Sequence, residues 1–155
     1  MYKRYLTVII VLITLVGCFF LFFDKPTNKE LYNKYLKKIN HQEDFVDVSN
    51  SKDLKLEVVY EYINNQYHYV ITITSNKTLN NFKALVVPSE TNENKYYPSF
   101  GIFDNENINL VHSEPGDNET KGVNLVVSNR EKIETFKMYV SYDNYEYYYL
   151  VNVGE

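Results

Sequence analysis

Three hydrophobic periods succeed one another along the chain. Residues 5–23 are apolar and uncharged throughout, bounded by Lys3 and Arg4 before and by Asp24, Lys25 and Pro26 after. At roughly 1.5 Å per residue, a helix over that stretch covers about 28 Å, close to the roughly 30 Å hydrocarbon core of a bilayer. A membrane segment is therefore expected within residues 1–25. The basic residues ahead of it put the N-terminus inside and the bulk of the chain outside.

After Pro26 the period becomes helical. Thr27 and Glu30 have the spacing of a capping box, and Leu31, Tyr35, Leu36 and Ile39 recur on one side with Lys34, Lys37 and Lys38 on the other. A short amphipathic helix to about Asn40 is expected. It either packs on the following domain or spaces it from the bilayer, within a spacer and linker over residues 26–53.

From residue 54 the period is two. Leu54, Leu56, Val58, Tyr60 and Tyr62 alternate with mostly polar residues, Asn64-Asn65 interrupts, and Tyr67, Tyr69, Ile71 and Ile73 resume the alternation. This is the pattern of a hairpin with a two-residue turn. It pairs Tyr62 with Tyr67, Tyr60 with Tyr69 and Val58 with Ile71 on an inner face, and Glu61 with His68 on the outer one. The same reading at the C-terminus turns the chain at Asp143-Asn144. Val140 then meets Tyr147 and Met138 meets Tyr149 inside, while Tyr139 meets Tyr148 outside. Further strands are expected over residues 82–87, around 96–102, 107–112 and 123–127, separated by clusters of Asn, Asp, Gly and Pro. The fold class that follows is all-β, a single antiparallel sandwich over residues 54–155.

Composition narrows the partners. Of 16 Lys and Arg residues, two lie before the apolar stretch, which leaves 14 against 20 Asp and Glu, a formal charge of −6. Nucleic acid is excluded as an expected partner, because phosphate binding needs a basic stripe that this interleaved sequence lacks. One cysteine rules out an intramolecular disulfide. Heavy use of Asn, Lys, Ile, Tyr and Phe with no Trp is the bias that AT-rich codon usage produces.

Two readings of the N-terminal stretch stand. Leu15-Val16-Gly17-Cys18, behind Lys3, Arg4 and an apolar run of signal-peptide length, resembles the lipobox of bacterial lipoproteins. That resemblance implies cleavage ahead of Cys18 and lipidation of its thiol. The alternative is an uncleaved transmembrane anchor, in which Cys18 and the following residues 19–23 continue one apolar helix. Either way the chain contacts the membrane through its N-terminal segment. The strand count and spacing from residue 54 onward resemble bacterial immunoglobulin-like or fibronectin type III-like modules, and the resemblance implies an architecture.

Candidate chemistry is sparse. Tyr139 and Tyr148, placed side by side on the outer face, could form a platform for a sugar ring or a partner chain. The three histidines, His41, His68 and His112, share no spacing that makes a metal pair, and the loops around Asp104 and Asp117 fail the EF-hand pattern. No catalytic residue, cofactor site or metal site is expected, and the chain is not expected to be an enzyme. The expected function is a membrane-tethered, extracytoplasmic binding or interaction module of the bacterial cell envelope, with an envelope protein or polysaccharide as partner. The alternative is an accessory subunit of a membrane complex. A hydrolase built from Asp104, His112 and Asp117 is the third reading.

Overall fold

A computed structural model describes residues 26–90, 101–102 and 108–154. The expected membrane segment, Cys18, the strand residues 96–100 and Asp104 lie outside them. The first element is the expected helix α1 (Asn28–His41). Its capping box is complete: the Glu30 N–H donates to Thr27 Oγ1 at 3.3 Å, and the Thr27 N–H donates to Glu30 Oε2 at 2.7 Å. These bonds satisfy donors that a helix start leaves without partners and hold the Glu30 carboxyl below the usual carboxylate range.

The strands follow in the order β1 (Val46–Asp47), β2 (Leu54–Ile63), β3 (Gln66–Ser75), β4 (Leu79–Pro88), β5 (Gly101–Ile102), β6 (Ile108–Leu110), β7 (Glu119–Thr120), β8 (Gly122–Asn129), β9 (Thr135–Tyr142) and β10 (Tyr145–Asn152). They form two sheets. The larger runs β1-β10-β9-β4-β6-β7 with β5 also on β4, and the smaller is β2-β3-β8. The fold is mostly β, as expected, but the larger sheet is mixed. β1 pairs with β10 in parallel and β6 with β7 in parallel, which corrects the wholly antiparallel expectation. These strands are two or three residues long and carry no readable alternation.

Both long hairpins have the expected register, with Tyr60 opposite Tyr69 and Val140 opposite Tyr147. Their turns explain why. Asn64, Asn65, Asp143 and Asn144 all have positive φ, between 50° and 67°, as a type I′ turn requires, and Asn and Asp tolerate that region better than other side chains. A two-residue loop then leaves one register open.

The two sheets share one core. Tyr69, Ile71 and Ile73 of β3 and Phe136, Met138 and Val140 of β9 belong to one core cluster, all fully buried, with the Tyr69 and Phe136 rings edge to face at 5.5 Å. On the other side of the larger sheet lies α1, whose Leu31, Tyr32, Tyr35, Leu36 and Ile39 are buried. Helix α1 and strand β1, both within the expected spacer and linker, are thus built into the domain. Residues 84–87 of β4 are buried in unbroken succession because the sheet is covered on both faces.

Candidate functional site

The two tyrosines expected to form an outer platform are brought together, their ring centroids 5.6 Å apart. They are not an open surface. Tyr139 is 2% exposed and lies beneath Tyr35 of α1, and Tyr148 is half-buried with its ring against the edge of Phe45. The expectation of an exposed aromatic pair is corrected for a plain reason: the face read as solvent-facing is the one the helix covers. Around the pair, Lys38 of α1 bonds the Glu146 carboxylate, which also accepts from the hydroxyls of Tyr139 (3.1 Å) and Tyr148 (3.3 Å). Burial raises the Glu146 pKa, but the bonds from Lys38 and Tyr139 outweigh it and leave the pKa below the usual carboxylate range. Burial and the neighbouring Glu146 charge push the Tyr148 hydroxyl up. This cluster fastens the helix to the sheet.

An exposed aromatic surface occurs instead at the far end of the small sheet. β2 and β3 are ten residues each, about 33 Å at the usual rise, as is β4 of the larger sheet, whereas β9 and β10 have eight. Tyr69 is the last inward residue with a full cover, its hydroxyl accepting from the Ile133 N–H at 2.6 Å. Beyond it, among the described residues, the inner face is only partly covered. Tyr67 packs on Tyr62 at 4.7 Å and Tyr60 lies 5.6 Å from Tyr69, leaving Tyr60 37% and Tyr62 58% exposed. Lys132 sits over the Tyr60 ring at 5.7 Å. These tyrosines carry the inward alternation of a core strand, so the pattern alone assigned them to the core. Their exposure, and not the alternation, separates them from the core.

The opposite face of the same sheet carries a second apolar feature. Val59, Val70 and Val126 stand in one row across the three strands and are all exposed. Of the eight exposed large hydrophobic residues among those described, six (Val59, Tyr60, Tyr62, Ile63, Val70 and Val126) belong to this sheet, so the apolar surface is concentrated there.

Beside β2 runs an open groove of about 640 Å³. Residues 54–58 of β2 line it together with Val48, Ser51 and Val151. Ser51 Oγ accepts the Leu54 N–H at 3.1 Å, and Asp47 Oδ1 accepts from the Ser49 Oγ and N–H. The Ser49 bonds lower the Asp47 pKa.

His41, His68 and Glu119 have structural partners. His68 stands opposite Glu61 as expected, but its ring nitrogens meet Ser128 Oγ at 2.6 Å and the Ile63 carbonyl at 3.3 Å. His41 Nδ1 lies 2.7 Å from the Lys37 carbonyl. In the acidic loop after Asp117, the Glu119 carboxylate accepts the Gly116 N–H at 2.8 Å and closes the turn. Among the described residues no three His, Cys, Asp or Glu side chains are grouped to hold a metal ion. No family model, curated relative or solved structure matches the chain.

Proposed function

We propose that this chain is a membrane-tethered, extracytoplasmic interaction module of the cell envelope, docking through the β2-β3-β8 sheet. Concentration of six of the eight exposed large hydrophobic residues among those described on three strands carries this reading, because soluble surfaces seldom gather apolar area without a use for it. The tether is the apolar stretch over residues 5–23, as a helix or through Cys18. The architecture we assign is an immunoglobulin-like sandwich, elaborated by α1 and the parallel edge pairs. Two hairpin-rich sheets around a common core support that assignment.

The test is capture by the full chain in detergent, wild type beside a Tyr60→Ala, Tyr62→Ala variant, against isolated envelope polysaccharide and solubilised membrane proteins. Retention that the variant loses is the expected result. Equal retention by both forms removes the overhang from the site.

A further inference from the structure

The groove beside β2 and the tyrosines beyond it belong to one strand, and their spacing makes them complementary to each other. We infer that β2 pairs antiparallel with β2 of a second copy of this chain about a twofold axis at Val58, each copy's Tyr60 and Tyr62 entering the groove of the other. This rests on the interaction-module reading and names its partner.

The hydrogen-bonding parity comes first. Ile63 and Gln66 flank a two-residue turn and form a bonded pair, so alternation turns the backbone groups of Leu54, Leu56, Val58, Tyr60 and Tyr62 away from β3. Among the described residues, β3 is the only partner of β2, which leaves that row at an open edge. Ser51 takes the Leu54 N–H, so the available ladder runs from Leu56 to Tyr62.

Charge then selects the register. The outer positions of β2 are Lys55, Glu57, Val59, Glu61 and Ile63. An axis at Val59 sets Glu57 opposite the second copy's Glu61, and an axis at Glu57 sets glutamate against glutamate. Directly opposed like charges are destabilising. An axis at Val58 sets Lys55 opposite the second copy's Glu61, twice by symmetry, and Glu57 opposite Val59. Edge charges that forbid neighbouring registers thereby favour this one.

Apolar complementarity follows in the same register. Leu56 faces the second copy's Tyr60 and Leu54 its Tyr62, and both leucines line the groove together with Val48. The exposed end of each strand meets the uncovered base of the other. Because the interface is isologous, it closes at two copies.

Lys55 and Glu61 are six residues apart, about 20 Å along one strand, so they do not meet within a copy. Reversing either charge tests the pairing. In sedimentation of the full chain in detergent, Lys55→Glu or Glu61→Lys should each weaken the dimer about tenfold or more, two attractions becoming two repulsions. The double reversal should restore it. Val58→Cys should cross-link through a short bismaleimide, and Ile63→Cys should not, with the wild type controlling for Cys18. A monomeric chain, or a dimer indifferent to single reversal, overturns the inference. If that monomer still captures envelope material through Tyr60 and Tyr62, the interaction-module reading survives. If it captures nothing, both fall.

Discussion

Tyr35 of α1 stacks on Tyr139 of β9, with ring centroids 4.8 Å apart and planes 21° from parallel. Lys38, one helical turn on, places its ammonium 5.1 Å from the same Tyr139 ring and reaches Glu146 beyond it. Tyr139 is thus clamped between two successive turns of the helix and the neighbouring strand. Its burial makes it a core residue despite an outward register.

Tyr139→Ala should therefore cost about 3–5 kcal/mol in urea unfolding, the range for emptying a buried aromatic site. Tyr139→Phe, which keeps the ring and loses the bond to Glu146, should cost about 1 kcal/mol. Tyr145→Ala, on the exposed tip of the same hairpin, should change stability by less than about 0.5 kcal/mol. Equal costs for Tyr139→Ala and Tyr145→Ala would show that the helix does not cover this face.

The Lys38 and Glu146 pair should make the helix contact pH-dependent in one direction. The folded pKa of Glu146 is depressed, so its contribution is present above the ordinary carboxylate pKa and is lost as pH falls through the folded value. With Glu146 43% exposed, solvent screening keeps the pair to less than about 1 kcal/mol. Comparing unfolding of the wild type and Glu146→Gln across pH, the difference should be full near neutrality and fade as pH falls below the ordinary glutamate value and through the depressed folded one. A difference that persists unchanged at pH 3 would assign it to packing instead.

The sequence displayed its hairpins more clearly than its layers. Alternation plus Asn64-Asn65 and Asp143-Asn144 set both registers, because turn geometry and strand period are local properties. Which surface the helix covers is not local. The apolar side of α1 says that something lies beneath it, and Tyr139 does not say that it lies beneath a helix. One signal was available: Ala84, Leu85, Val86 and Val87 run without alternation, the mark of a strand covered on both faces. Tyr60 and Tyr62 misled in the opposite sense, since inward phase implies burial only where another layer extends far enough. β1 and β7, two residues each, fall below the length at which any pattern can be read.

The turn residues predict their own mutational cost. Asn65 and Asn144 have φ of 60° and 67°, a region that costs most L residues about 1–2 kcal/mol and a β-branched side chain still more. Asn65→Val and Asn144→Val should each destabilise by about that amount in thermal or urea unfolding. Asn65→Gly and Asn144→Gly should be neutral or slightly stabilising. Because the two turns belong to different sheets, the double valine variant should show nearly additive losses. A neutral Asn65→Val would mean that the hairpin can adopt another turn and that its register is less fixed than the pairing implies.

Tyr69 marks the boundary between the covered and overhanging parts of β3, and its hydroxyl holds that boundary. Its ring is fully buried against Phe136, and the oxygen accepts the Ile133 N–H just ahead of β9. Burial is the main cause of its raised pKa. Tyr69→Phe keeps the ring and orphans a buried N–H, which should cost about 1–3 kcal/mol. The loss should also be local. Amide exchange should accelerate at Ile133 beyond the global change, while amides in the turn between β9 and β10 follow global stability alone. Tyr67→Phe, whose half-buried ring lies one step further out, should cost less. If Tyr67→Phe proved as costly as Tyr69→Phe, the covered core would extend past Tyr69 and the overhang would be shorter than the exposure of Tyr60 and Tyr62 implies.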